Sequence, residues 1–172
     1  MEKSHYIKDF IPLMSPDIRK DDIESLTNVL KSGMLVQGEE VIHLENTISK
    51  YINVKHSIAV SSGTAALHLA LIALGINKGD EVIIPSFSYI ATANVIELVG
   101  AKPIFVDIDI ETFTINTTLI EKVITPNTKA IMPVHEFGLT ADMKLIKEIA
   151  EKYNLYIIED AACALGSKEN DI

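Results

Sequence analysis

The sequence predicts an α/β fold, a three-layer sandwich in which a mainly parallel sheet lies between two layers of helices. Short, continuous apolar runs alternate along the chain with longer stretches whose apolar residues recur at helical spacing. Polar residues do not interrupt the apolar runs, which is typical of strands buried on both faces and therefore of parallel sheets. A length of 172 residues is enough for one sizeable core.

The N-terminal third of the chain carries helical patterns and no strand pattern. Residues 1–16 contain two prolines and are expected to form an extended arm. Residues 20–32 and 39–52 each place apolar side chains at helical spacing. We therefore separate residues 1–56, an arm followed by two helices, from the α/β region of residues 57–172.

The α/β region contains five apolar runs that predict strands, at 57–61, 81–85, 102–107, 129–134 and 155–159. Amphipathic stretches between them predict helices, at 64–74, 89–99, 117–124 and 141–153. Ligands of parallel sheets bind beyond the carboxyl ends of the strands. The residues that follow each predicted strand are therefore the candidates for a site.

The segment Ser61-Ser62-Gly63-Thr64 is a candidate anion site. Small residues lead from a predicted strand into a helix, and the first N–H groups and the dipole of a helix attract anions, most often phosphate. Gly63 lets a ligand approach the backbone closely, and the Thr64 hydroxyl offers one more donor. An ordinary helix cap explains the same residues equally well, so residues further along the chain must decide.

Composition and missing motifs exclude several function classes. The net charge of −9 argues against extensive contact with nucleic acid or anionic membranes. No apolar run approaches membrane-spanning length, and the single cysteine, Cys163, rules out an internal disulfide and favours the cytoplasm. The glycines match neither common nucleotide-binding motif, and no Ser lies in a G-x-S-x-G segment. The histidines lack metal-ligand spacing, so no metal site is predicted.

The remaining candidates fit pyridoxal phosphate (PLP). This cofactor needs an anion site for its phosphate, an aromatic face for its ring and a carboxylate that keeps its pyridine nitrogen protonated. Phe87 or Tyr89 offers the aromatic face after one predicted strand, and Asp160 offers the carboxylate after another. Asp160 alone is more often a helix cap, but the Gly63-Thr64 turn in the same sequence favours the cofactor site.

Five stretches, in order and at matching spacing, resemble the DegT-type family of PLP-dependent sugar aminotransferases. Together they extend the similarity from about residue 11 to residue 167. They are Ser61-Ser-Gly-Thr-Ala-Ala-Leu-His-Leu-Ala70, Gly79-Asp-Glu-Val-Ile-Ile-Pro-Ser-Phe-Ser-Tyr89, Ala101-Lys-Pro-Ile-Phe-Val-Asp107, Pro133-Val-His-Glu-Phe-Gly138 and Ile158-Glu-Asp-Ala-Ala162.

The resemblance implies a fold-type-I PLP transferase large domain and a homodimer whose active sites use both subunits. By motif, Gly63, Thr64 and Ala65 would hold the phosphate of the cofactor. Tyr89 would stack on its ring, and Asp160 would bind its pyridine nitrogen.

Position 163 departs from the family pattern. The family usually has Gln or His there, which can bind near the ring oxygen of the cofactor, whereas the Cys163 thiol is a weak hydrogen-bond partner. We expect either a retuned cofactor contact or a buried apolar cysteine, and we favour the latter. His135 is expected to be a loop residue, or one that supports a residue in contact with the ligand, and not to act in catalysis.

The family's Schiff-base lysine lies in a Ser-Phe-His-x-x-Lys-like segment that this chain does not contain, and Lys168 does not match it. Family members are more than twice as long, so residues 57–172 are expected to be the N-terminal part of the large domain, without a catalytic residue and inactive alone. The implied reaction moves an amino group, from glutamate, to a nucleotide-linked 4-keto- or 3-keto-deoxysugar. Two alternatives stay open: a sugar dehydratase of the same family, in which histidine replaces the lysine, and a truncated product without activity.

Overall fold

The computed structural model describes residues 15–168, and the predicted arm lies largely outside these residues. The chain divides into two compact units between Ser57 and Ile58. In the first unit, α1 spans Lys20–Ser32 and α2 spans Glu39–Tyr51. The carboxylate of Asp22 accepts the backbone N–H of Arg19 and caps α1, which ends at Gly33 in the left-handed conformation.

The second unit is an α/β structure with four strands and four helices in its described part. The strands are β1 (Glu81–Pro85), β2 (Lys102–Val106), β3 (Thr128–Ile131) and β4 (Tyr156–Ile157). The helices are α3 (Gly63–Ala73), α4 (Ala91–Leu98), α5 (Thr117–Ile120) and α6 (Met143–Tyr153). All pairings in the sheet are parallel, in the order β2-β1-β3-β4.

The central strand β1 is buried on both faces, and the predicted α/β fold with a mainly parallel sheet is confirmed. On one face, Val82 and Ile84 of β1 pack in a cluster with Leu71 of α3 and residues of α4. Between them in sequence, Ile83 points to the other face and packs in a second cluster with Ile146 of α6. This separation follows from the alternation of side chains along a strand.

The predicted strand at 57–61 is wrong. Residues 57–60 are irregular, and Ile58 is 79% exposed. Such a short apolar run lacks the length that distinguishes a strand from a loop. In the described structure this run pairs with none of the four strands of the sheet.

Other predicted elements are present but shorter. The strand expected at 155–159 is regular only at Tyr156–Ile157, although the parallel pairing resumes where Asp160 bridges to Val134. The helix expected at 117–124 is one α-helical turn followed by a 3-10 turn at Glu121–Val123. The remaining helices and strands lie within a few residues of their predicted limits.

Candidate functional site

The backbone of Asp160 is fixed at the carboxyl edge of the sheet. Its N–H donates to the carbonyl of Pro133 at 2.9 Å, and its carbonyl accepts the N–H of His135 at 3.0 Å. These two bonds extend the β3-β4 pairing beyond the regular strands, through the bridge between Val134 and Asp160. The Asp160 side chain therefore starts from a rigid position at the edge where ligands of parallel sheets bind.

A buried threonine holds the carboxylate of Asp160. Thr92, in the first turn of α4, donates from its hydroxyl to Oδ2 of Asp160 at 3.0 Å, across 68 positions of sequence. The Ser88 hydroxyl lies 2.8 Å from the same Thr92 oxygen. Oδ1 of Asp160 has a longer contact, 3.4 Å, with the backbone N–H of Ala162. No sequence motif predicts this role for Thr92, whose only signal is its place three residues after Tyr89.

The start of α3 keeps two backbone donors available. Ser62 is the N-cap: its hydroxyl accepts the N–H of Ala65 at 3.1 Å, and its carbonyl accepts the N–H of Ala66 at 3.0 Å. No hydrogen bond among the described residues uses the N–H groups of Gly63 and Thr64. Since the first N–H groups of a helix have no partner within the helix, these two can bind an anion, whereas Ala65 already serves the cap.

The space around Gly63 is open. A Cβ atom placed at this position would meet no heavy atom within 4 Å, and its φ lies outside the left-handed region. Neither backbone strain nor local packing therefore requires glycine here. Room for a ligand close to the backbone remains a reason for this residue, as the sequence suggested.

The connection between α3 and β1 indicates the direction of the helix. Residues 74–80 join the end of α3 to the amino end of β1, and both elements pack in the same apolar cluster. A helix that packs on a sheet and is joined by a short connection to the following strand runs opposite to that strand. The first turn of α3 is therefore directed toward the carboxyl edge.

The two other predicted site residues are accessible. Tyr89 is 77% exposed and lies in the loop between β1 and α4, where its carbonyl accepts the N–H of Thr92 at 3.1 Å. Cys163 is also exposed, so the expectation of a buried apolar cysteine is wrong. It lies in the irregular segment after Asp160, where apolar neighbours do not enclose it.

Three phenylalanines from three loops meet at this edge, in a cluster that no local sequence pattern predicts. Phe87 follows β1, Phe113 follows β2 and Phe137 follows β3, with ring centroids 5.7, 6.2 and 6.3 Å apart in pairs. Phe113 and Phe137 both have positive φ, which is costly for an aromatic residue. Mutual ring packing offsets part of that cost and holds the three loops together.

Two glutamates beside this edge have altered acidity. Burial raises the pKa of Glu136, and the negative charge of Asp160 raises it further. The hydrogen bond from His135 lowers the pKa of Glu159, against a smaller opposing effect of desolvation. Glu136 and Asp160 therefore lie close enough for their charges to interact.

Residues 15–168 show no metal site and no membrane-spanning helix. No group of three or more His, Cys, Asp or Glu side chains there could hold a metal ion. Within the same range, no helix has the length and apolar character needed to cross a membrane. An open cavity of about 640 Å³ lies beside the starts of β3 and β4, at the amino edge. Ligands of parallel sheets bind at the opposite edge.

These features define an α/β domain with two unused N–H donors at a helix start, a fixed carboxylate and an exposed aromatic ring at one end of the sheet. The DegT/DnrJ/EryC1/StrS aminotransferase family matches residues 16–171, and the chain belongs to this family. The resemblance of the five sequence stretches is thereby confirmed.

Individual relatives agree with this assignment. The chain is 44% identical over 158 residues to the UDP-4-amino-4-deoxy-L-arabinose--oxoglutarate aminotransferase of Shewanella sediminis, covering 92% of this chain and 41% of that protein. A similar structure is that of NtdA from Bacillus subtilis with bound cofactor PMP (pyridoxamine 5'-phosphate). The TM-score is 0.83 at 41% identity, and the match covers 94% of this chain and 39% of that one. An aminotransferase from Psychrobacter cryohalolentis is similar with a TM-score of 0.85 at 37% identity, over 88% and 39% of the two chains. The chain thus spans about two fifths of the length of these relatives.

Proposed function

We propose that residues 57–172 form the N-terminal part of the PLP-binding large domain of a sugar aminotransferase, with the cofactor at the carboxyl edge of the sheet. In this proposal the N–H groups of Gly63 and Thr64 bind the phosphate. Ala65 shapes this turn through its bond to the Ser62 cap. Support comes from the two unused donors at the start of α3 and from the room beside Gly63.

The observation that carries the proposal is the carboxylate of Asp160, held by Thr92 beyond the end of a parallel strand. Asp160 would accept a hydrogen bond from the protonated pyridine nitrogen of the cofactor. When bound, PLP supplies the electron sink for amino transfer. Tyr89, exposed in a loop at the same edge, would stack on the ring, and Cys163 would lie near its periphery.

We propose a nucleotide-linked keto-deoxysugar as the amino acceptor and glutamate as the donor of the complete enzyme. Support comes from the Shewanella relative, whose name pairs a UDP-linked amino sugar with oxoglutarate, the keto acid of glutamate. The Schiff-base lysine is expected outside this chain, because no segment here resembles the family's lysine motif.

We also propose a cytoplasmic homodimer. A single cysteine, which cannot form an internal disulfide, suits a reducing compartment. Apolar side chains exposed along α1, Ile23, Leu26 and Leu30, support association with a second copy. Sedimentation of the purified protein tests the assembly: a monomer at all accessible concentrations would contradict it.

Cofactor binding is tested with pyridoxamine 5'-phosphate (PMP), whose amine, unlike an aldehyde, does not condense with surface lysines. Isothermal titration of the wild-type chain should show saturable binding, and Asp160→Ala should weaken it at least about tenfold, as expected for loss of a charge-assisted hydrogen bond. A wild-type chain that folds but does not bind PMP, or equal binding by both proteins, would contradict the proposed cofactor site.

A further inference from the structure

Thr92 connects the two residues that we propose to contact the pyridine ring. Its backbone N–H donates to the carbonyl of Tyr89 at 3.1 Å, and its hydroxyl donates to Oδ2 of Asp160 at 3.0 Å. Resting on the proposed function, we infer that Thr92 is a positioning residue, which holds the Asp160 carboxylate in the orientation that the pyridine nitrogen requires. With Thr92 only 1% exposed, water has almost no access to compete for these bonds.

The hydrogen bonds between these side chains have a fixed direction. An ionised carboxylate only accepts, so the single hydroxyl proton of Thr92 goes to Asp160. The Ser88 hydroxyl, 2.8 Å from the Thr92 oxygen, must then donate to it. Donation from Ser88 polarises the Thr92 hydroxyl and strengthens its bond to Asp160.

This arrangement leaves one carboxylate oxygen for the cofactor. Thr92 occupies Oδ2, whereas Oδ1 has only the 3.4 Å contact with Ala162 among the described residues, longer than a normal N–H···O bond. Without the Thr92 hydroxyl, the Asp160 side chain can rotate and direct either oxygen elsewhere. Thr92 thereby orients Asp160 before the cofactor arrives, which reduces the entropy cost of binding.

The test replaces the Thr92 hydroxyl and compares the result with a matched change elsewhere. Thr92→Val removes the hydroxyl at nearly constant shape, and Thr92→Ser retains it. Thr128→Val is the control, because Thr128 is also buried and also contacts a carboxylate, that of Glu81, but at the amino edge of the sheet. Dissociation constants for PMP are measured by titration, and the ¹⁵N shift of its pyridine nitrogen reports the protonation of that nitrogen.

We expect Thr92→Val to weaken PMP binding about tenfold and to shift the ¹⁵N signal toward the unprotonated form, as loss of a positioned charged acceptor implies. Thr92→Ser should stay within about threefold of wild type, and Thr128→Val should leave both readouts unchanged. Unaltered affinity and ¹⁵N shift in Thr92→Val, with wild-type binding intact, would overturn the role of Thr92 alone. Failure of the wild-type chain to bind would instead overturn the proposed function. If Thr92→Val does not fold, Thr92→Ala, which also lacks the hydroxyl, is compared with wild type by the same two measurements.

Discussion

Nε2 of His135 lies 3.0 Å from Oε2 of Glu159, and the other ring nitrogen of His135 accepts the backbone N–H of Ala141 at 3.1 Å. A nitrogen that accepts an N–H carries no proton, so the ring proton of the neutral form resides on Nε2 and is donated to Glu159. His135 is 4% exposed, and both of its ring nitrogens have hydrogen-bond partners. His135 therefore joins the segment just before Asp160 to the loop after β3, which is a structural role.

The His135 hydrogen bond makes stability depend on pH. It lowers the pKa of Glu159 below its usual value of 4.5, so Glu159 contributes stability above pH 4.5 that is lost as the pH falls through its lowered pKa. Glu159→Gln keeps an acceptor for His135 but does not titrate. We expect the free energy of unfolding to fall less steeply below pH 4.5 in this variant than in wild type, as measured by urea denaturation across pH. Glu148→Gln, an exposed change on α6, should retain the wild-type slope, and an unchanged slope in Glu159→Gln would contradict the assignment.

Removal of the imidazole should destabilise the fold directly. His135→Leu leaves the N–H of Ala141, a fully buried residue, without its acceptor. An unsatisfied buried donor costs about 1–3 kcal/mol, so we expect a loss of about 2 kcal/mol in the free energy of unfolding. Urea denaturation at neutral pH measures this loss. A stability within 0.5 kcal/mol of wild type, roughly the scatter for surface substitutions, would show that water or another group replaces the acceptor.

A substitution at Gly63 should weaken ligand binding while leaving folding nearly unchanged. Because a Cβ atom there meets nothing within 4 Å, Gly63→Ala should leave the free energy of unfolding within about 0.5–1 kcal/mol of wild type. The added methyl group should nevertheless obstruct a phosphate that approaches the backbone. We expect weaker PMP binding and a reduced change in the ³¹P shift on binding. Wild-type affinity for PMP in a folded Gly63→Ala protein would contradict the proposal that this turn binds the phosphate.

Shortening a side chain in the core between β1 and α6 should destabilise the fold. Ile83 is fully buried in the cluster that also contains Ile146. Ile83→Ala should lower the free energy of unfolding by about 2–5 kcal/mol through lost burial and a residual cavity. Ile110→Ala is the matched control, because Ile110 is 76% exposed and should cost less than about 1 kcal/mol. Equal effects at the two positions would contradict the packing described here.

Continuous apolar runs predicted the sheet well where strands are buried on both faces, as at Glu81–Pro85. The same signal failed at residues 57–61, because a run of three apolar residues does not reveal whether a neighbouring strand is present to pair with it. The exposure of Cys163 was missed for a similar reason, since hydrophobic character does not determine whether neighbours enclose a side chain.

Site residues at strand ends were easier to propose than the residues that support them. Asp160 was found from its place after an apolar run, whereas Thr92 contacts it across 68 positions that no local pattern connects. The ring cluster of Phe87, Phe113 and Phe137 likewise depends on three loops that meet only in the folded chain. Contacts between distant segments carry little signal in a single sequence.

The central claim, that Asp160 binds the pyridine nitrogen of the cofactor, is tested most directly by the ¹⁵N shift of that nitrogen in bound PMP. The wild-type chain and Asp160→Asn are each saturated with PMP labelled at the pyridine nitrogen and compared at the same neutral pH. An ionised carboxylate stabilises the protonated ring, whereas the neutral amide of Asn does not. We predict a ¹⁵N shift typical of the protonated nitrogen in wild type and one typical of the unprotonated nitrogen in Asp160→Asn. The same shift in both proteins would contradict the account.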